Sequence, residues 1–278
     1  RRWAGTLPGI RGTLGAGGTG CIALTSESPD DLWLEVIADA EDAVVSGASQ
    51  FLAFTAGAVA SIEIALPEED FIPEAGQEFP LRLTLRDELG NPTEGAVASV
   101  TLVERCGDAD TRLRRTVVFA DEHVLPDAYL AGATGTGGCS VNGIEVVGQA
   151  DGAAIQGTSR DVVVTPGAPA LFSVSAFPDL VQAGGDPAVV VVEAEDAFGN
   201  PTPQATGSVT LSDTAGGLGT ETGASACRPL DSGVTTCDAW PVRAGQDIAI
   251  IATTSAGLTG SSGPIEVLAG APDQLEVN

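Results

Sequence analysis

Asp196-Ala197-Phe198-Gly199-Asn200-Pro201-Thr202 stands between two extended apolar runs, and the chain carries it a second time as Asp87-Glu88-Leu89-Gly90-Asn91-Pro92-Thr93. Each copy spells a sharp reversal. Asp accepts from N–H groups of the turn, Gly supplies a positive φ, and Pro fixes its own φ and bars helix. The turn-structural residues are therefore Asp87, Gly90, Asn91 and Pro92, and Asp196, Gly199, Asn200 and Pro201. Phe79, Leu81, Leu83 and Leu85 lead into the earlier copy and alternate with Pro80, Arg82, Thr84 and Arg86, the pattern of a half-buried antiparallel strand. Val189 to Val192 lead into the later copy with less contrast, since Val189 and Val191 fall on the outward face. Val97 to Leu102 and Gly207 to Leu211 lead out. The copies lie 109 residues apart, the length of one β-sandwich domain.

The match extends beyond the turn. Thr55-Ala56-Gly57-Ala58, Thr165-Pro166-Gly167-Ala168-Pro169 and Leu268-Ala269-Gly270-Ala271-Pro272 read as linkers. Each feeds an alternating strand: Ile62, Ile64 and Leu66; Phe172, Val174 and Ala176; Leu275 and Val277. Pro67 and Ala75-Gly76 in the first repeat answer to Pro178 and Ala183-Gly184 in the second. The second halves end alike, in Asp151 to Ser159, Ala256 to Ser262 and Ala43 to Ser49. This predicts an all-β chain of tandem Ig-like antiparallel β-sandwiches in an elongated array. Residues 1–54 are the C-terminal half of such a domain. Residues 55–165 are a complete one with an insertion at about 104–138, 166–268 a second, and 269–278 the first strand of another.

Composition agrees. The 36 Gly and 17 Pro imply frequent reversal, which suits many short strands. Leu32 to Ala43 comes closest to a helical period but sits where a strand is expected. A net charge of −26 argues against nucleic acid and against an anionic membrane surface. No apolar run is long enough to span a membrane. Lys and Met are absent, so all 12 positive charges are Arg. Pro in both Asn-Pro-Thr triplets blocks N-glycosylation.

A Gly-Ala-Pro linker, a first strand, a Pro, an Ala-Gly and an alternating strand ending in Asp-x-x-Gly-Asn-Pro resemble the bacterial Ig-like domains of the invasin/intimin type. The resemblance covers both full repeats and the fragments at either end, and is strongest from Thr165 to Leu211. It implies secretion, tandem arrays and work as surface stalks, adhesins or fibre components. It brings no catalytic residues.

Cys139 and Cys237 lie 26 and 31 residues before the next linker and read as one position of the repeat; Cys106 and Cys227 precede them. The expected disulfides are Cys106–Cys139 and Cys227–Cys237, with the partner of Cys21 outside the chain. Zinc is disfavoured, because no C-x-x-C or histidine pair exists. Disulfides place the protein extracellularly or at the cell surface. Trp240 and Trp33 are expected to pack against disulfides.

His123, the single histidine, reads as a solvated residue of the insertion, without the G-x-S-x-G elbow of a hydrolase. No catalytic or cofactor-binding residue is assigned, and the chain is not read as an enzyme. Calcium at a domain junction is the one cofactor considered, with Asp30, Asp31, Glu193, Glu195 and Asp196 as weak candidates. The basic cluster Arg112, Arg114 and Arg115 either pairs with an acidic neighbouring copy or is a solvated strand face. The expected function is a non-catalytic extracellular stalk or a component of a cell-surface filament. The alternative is an adhesin or ligand-binding module using residues 104–138. Partners are neighbouring domains or further copies, head to tail. Two accounts of the ends stay open: a window on a longer chain, or a strand at Leu275–Val277 donated to the next copy.

Overall fold

The computed structural model describes residues 55–106, 114–135, 139–218 and 227–271, together with the backbone of four strands within 31–53. Those four are β1 (Asp31–Leu32), β2 (Glu35–Ala40), β3 (Ala43–Ala48) and β4 (Leu52–Ala53), paired antiparallel as β1–β4 and β2–β3. The Leu32–Ala43 stretch thus contributes a strand. Among the described residues there is no helix.

Seven strands build the first sandwich: β5 (Val59–Ala65), β6 (Phe79–Asp87), β7 (Val97–Glu104), β8 (Arg114–Ala120), β9 (Glu122–Ala128), β10 (Ile144–Ala150) and β11 (Ala153–Thr158). One sheet runs β5-β6-β9, the other β11-β10-β7-β8. The alternation of β6 survives in space, with Phe79, Leu81, Leu83 and Leu85 buried together with Ala98, Val100, Leu102, Ile144 and Val146. Each fully buried Leu contributes about 1.5–3 kcal/mol of transfer free energy. Asp121, at φ 55°, turns the chain from one sheet to the other. Its N–H donates to the Ala96 carbonyl at 3.1 Å, and its carboxylate accepts from the Ala96 N–H at 3.0 Å.

A second, separate core gathers Phe172, Val190, Val192, Leu211, Ile250 and Ile265. Its strands are β12 (Leu171–Phe177), β13 (Leu180–Gln182), β14 (Ala188–Glu195), β15 (Val209–Asp213), β16 (Val234–Ala239), β17 (Gly245–Ile248), β18 (Ile250–Thr254), β19 (Thr259–Ser261) and β20 (Ile265–Leu268). They form sheets β12-β14-β16, β15-β18-β19 and β13-β20-β17. The first two match β5-β6-β9 and β7-β10-β11 strand for strand. The parallel β13–β20 pair answers to the parallel bridge between Glu74 and Thr165.

Finer contacts recur as well. The Ile144 N–H donates to Ser159 Oγ at 2.9 Å, and the Ile250 N–H to Ser262 Oγ at 3.0 Å. A Cβ at Gly157 would lie 2.2 Å from the Ile62 carbonyl oxygen, and one at Gly260 would lie 2.1 Å from that of Phe172. At both points the two sheets approach too closely for any side chain.

The structure corrects three expectations here. The described parts of residues 104–138 are not an insertion set apart from the sandwich: β8 and β9 lie in the two sheets, and Phe119, Leu125, Ala128 and Leu130 join the core. Cys139 and Cys237 are not equivalent. Cys237 lies in β16, the counterpart of β9, whereas Cys139 lies beyond β9. His123 sits on β9, opposite Leu83, with its ring stacked on Phe119 at 5.7 Å.

Candidate functional site at the joint between the two sandwiches

The Asp196 carboxylate organises its turn. Oδ1 accepts from the N–H groups of Phe198 and Asn200 at 2.8 and 3.0 Å. Oδ2 accepts from the Gly167 N–H at 2.9 Å and from Asn200 Nδ2 at 2.8 Å. Four donors occupy the roughly four acceptor sites of an ionised carboxylate. Asp87 repeats the arrangement: Leu89 and Asn91 N–H to Oδ1, Gly57 N–H and Asn91 Nδ2 to Oδ2. The Gly57 N–H above all holds the Asp87 pKa down at about 2, against the opposing effect of burial, with Asn91 and Leu89 adding to it. In each repeat, therefore, one aspartate ties the linker glycine to the turn.

Asn200 carries the contact outward. Its Oδ1 accepts from the Ala133 N–H at 2.9 Å, and its Nδ2 donates to the Ala131 carbonyl at 2.7 Å. The side-chain amide thus pairs with the first sandwich as one residue of a β-strand would. Asn200 is 7% exposed, and Ala131 and Ala133 are each 1% exposed.

Glu104 shapes the platform that Asn200 meets. It is wholly buried and accepts from the N–H groups of Ala131 and Gly132 at 2.9 and 2.8 Å. Asn142 Nδ2 donates to Glu104 at 2.6 Å and to the Gly132 carbonyl at 2.6 Å. Beside the clamp, Phe198 packs against the first sandwich's core, with its ring centroid 6.0 Å from that of Tyr129. A Cβ at Gly76 would come within 2.3 Å of the Phe198 ring, so glycine leaves the seat for it. Gly76 also has φ +79°, a conformation other residues adopt at a cost.

The remaining candidates fall elsewhere. Asp87, Gly90, Asn91 and Pro92 form the matching turn at the opposite pole of the first sandwich. Asp30 lies outside the described residues, and Asp31 is placed only as backbone of β1. Glu193 and Glu195 stand on β14. Burial raises the Glu195 pKa, and the charges of Glu193 and Asp196 raise it further. Among the described residues, no group of three or more His, Cys, Asp or Glu is arranged to hold a metal ion. Asp196 commits its oxygens to N–H donors, so as a calcium ligand it would have to release the turn. Arg115 pairs with Asp127 at 2.7 Å and lowers its pKa, Arg114 is exposed, and Arg112 lies outside the described residues.

Cys106 is bonded to Cys139 and Cys227 to Cys237. The first links the end of β7 to the segment before Asn142, close to the platform. The second bridges two neighbouring antiparallel segments at the edge of β16. Cys237 faces the core at 1% exposure, and Trp240 is 37% exposed. Cys21 and Trp33 lie outside the described residues.

Glu104 and Asn142 escaped the sequence reading. Glu104 had a signal, since Ala98, Val100, Leu102 and Glu104 all take inward positions of one alternating strand. A carboxylate at the end of an inward row demands buried donors.

No protein-family model matches the chain, and no curated protein matches it. Among solved structures, it is similar to FdeC, an Escherichia coli adhesin, at 20% identity and TM-score 0.31, over 78% of this chain and 67% of that one. It is similar to a β-glycosidase from Bacteroides vulgatus at 13% identity and TM-score 0.30, over 76% of this chain and 25% of that one. It is also similar to invasin, a bacterial integrin-binding protein, at 15% identity and TM-score 0.27, over 73% of this chain and 38% of that one. At such scores none of them assigns a role.

Proposed function

We propose that the chain is a non-catalytic extracellular stalk segment, built of tandem Ig-like modules stacked end to end in a cell-surface stalk or filament. The observation that carries this reading is the joint. A linker alone would leave adjacent modules free to swing, since small inter-domain contacts permit relative motion by default. Here Phe198 packs against the neighbouring core, and the Asn200 amide is spent on backbone groups of the neighbour. Both devices fix orientation, and neither serves chemistry. Two disulfides fit an oxidising compartment. The net charge of −26 keeps long arrays from adhering side by side.

The module limits we propose are residues 55–165 and 166–268, with 1–54 and 269–278 belonging to flanking modules. No observation favours the adhesin alternative, because the described parts of 104–138 are built into the sheets and the joint. The test is a pair of spin labels, one on each sandwich at exposed strand positions such as Thr116 and Thr236. A stalk gives one narrow distance distribution, which broadens in Phe198→Asp. A broad distribution in the unmodified chain would refute a stacked stalk.

A further inference from the structure

The pole of the second sandwich that answers to the platform of the first carries the same seat, unfilled by any of the described residues. In the first sandwich, the Gly76 N–H donates to the Leu130 carbonyl at 2.8 Å. In the second, the Gly184 N–H donates to the Pro241 carbonyl at 3.1 Å. That correspondence sets Trp240 against Tyr129, Val242 against Ala131, and Ala244 against Ala133. Gly76, Tyr129 and Ala131 are covered by Phe198 and Asn200. Around Gly184 a Cβ would meet nothing within 4 Å, and Trp240 and Val242 are 37% and 51% exposed. Two large apolar side chains stand in water beside a glycine at φ +68° whose only structural counterpart makes room for a ring.

The way the chain leaves this pole also repeats. The Ala75 N–H donates to the Thr165 carbonyl, and the Ala183 N–H to the Leu268 carbonyl, at 2.8 and 2.9 Å. A Cβ at Gly167 would lie 3.2 Å from the Ala75 carbonyl oxygen, and one at Gly270 would lie 2.7 Å from that of Ala183. The exit path past Leu268 is therefore the one that, past Thr165, delivers Phe198 to its seat.

We propose that Gly184, Trp240 and Val242 form a docking socket for the front turn of a following Ig-like module tethered through the Leu268–Pro272 linker. The partner's recognition element is an Asp-x-(Phe or Leu)-Gly-Asn-Pro turn: its large apolar residue covers Trp240 over Gly184, and its Asn pairs with the backbone at Val242 and Ala244. This rests on the stalk reading and names the contact that extends it.

The test supplies such a module. In the sequence, Leu275 and Val277 follow the third linker as Phe172 and Val174 follow the second, so a second copy of residues 176–268 placed after Asn278 continues the sequence pattern. Trp240 is kept as the sole tryptophan, with the others replaced by Phe, and its quenching by acrylamide is measured. The quenching constant falls several-fold on lengthening. It recovers on Val242→Asp, or on replacing the phenylalanine of the added turn by Asp. Val242 is exposed, so its variant keeps the fold, which circular dichroism checks. Equal quenching in the lengthened and 278-residue chains overturns the socket. Concentration-dependent protection of Trp240 in the unlengthened chain, abolished by Leu89→Asp, overturns the tethered partner in favour of a second copy. The stalk reading fails separately, through the labels across the Phe198 joint.

Discussion

Asn200→Ala isolates what the joint is worth. The substitution removes the acceptor of the Ala133 N–H at 2.9 Å, the donor to the Ala131 carbonyl at 2.7 Å and the donor to Asp196 Oδ2 at 2.8 Å. The Asn200 backbone N–H still reaches Asp196, and Pro201 still fixes the turn, so the reversal persists. Depriving a buried donor of its acceptor costs about 1–3 kcal/mol, and an ordinary hydrogen bond is worth about 1 kcal/mol net. Water entering the vacated space recovers part of this, which leaves about 2–4 kcal/mol. Hydrogen exchange followed by mass spectrometry reads the effect where it arises. At about 1.4 kcal/mol per tenfold, the amides of Ala131–Ala133 exchange roughly 30-fold or more faster, while those of Val100, Leu102 and Val146 in the first core do not. In urea the second sandwich then unfolds ahead of the first. Unchanged protection at Ala133, with a loss of stability below about 0.5 kcal/mol, would place the joint among incidental surface contacts.

Three further outcomes follow. Asp87 titrates near 2 in the folded chain against 3.8 ordinarily, so the stability it confers is complete above about pH 4 and is lost as the pH falls toward 2; acid unfolding by circular dichroism should show a shallower fall in Asp87→Asn, whose baseline stability is already lower. Reducing the disulfides should cost about 3 kcal/mol for the 10-residue Cys227–Cys237 loop and about 4 kcal/mol for the 33-residue Cys106–Cys139 loop, read as urea midpoints of the single Cys→Ser pairs. Gly157→Ala and Gly260→Ala should each cost about 1–3 kcal/mol by overpacking against the Ile62 and Phe172 carbonyls, and equal melting temperatures in variant and parent would contradict the close approach.

What the sequence made legible is what local chemistry dictates. The Asp-x-x-Gly-Asn-Pro turns, the inward row of β6 and the Ala-Gly that precedes each core strand needed no knowledge of the far side of the molecule. The misreadings lie where a signal was overruled from a distance. β9 contains Pro126 and the charged residues Glu122 and Asp127, and so reads as loop. It is nonetheless a strand because it lies at the edge of β5-β6-β9, where proline is tolerated. β8 buries only Phe119 fully, which is too little alternation to announce a strand. Counting back from the linkers set Cys139 against Cys237, but the segments between have different lengths in the two sandwiches, so equal counting marks unequal places. Asn200 was named as part of a turn. Its larger use, across the joint, became visible only once Ala131 and Ala133 stood opposite it.

The topology also explains why a stalk would concentrate its specificity at the joints. β13 and β20 run parallel, toward the pole where Leu268 leaves. In a tethered array, tension that passes beyond β12 draws β13 from its N-terminal end and β20 from its C-terminal end, so their hydrogen bonds are sheared together rather than parted one at a time. The Glu74–Thr165 bridge places the first sandwich in the same geometry. Hairpins such as β18–β19, which would unzip, lie off that path. Cys106–Cys139 pins the end of β7 to the segment before Asn142, stiffening the side of the platform that Glu104 shapes from within. In such a stalk the sandwiches would be braced along the axis of load. The orientation of one upon the next is left to a phenylalanine, an asparagine and the glycine that admits them.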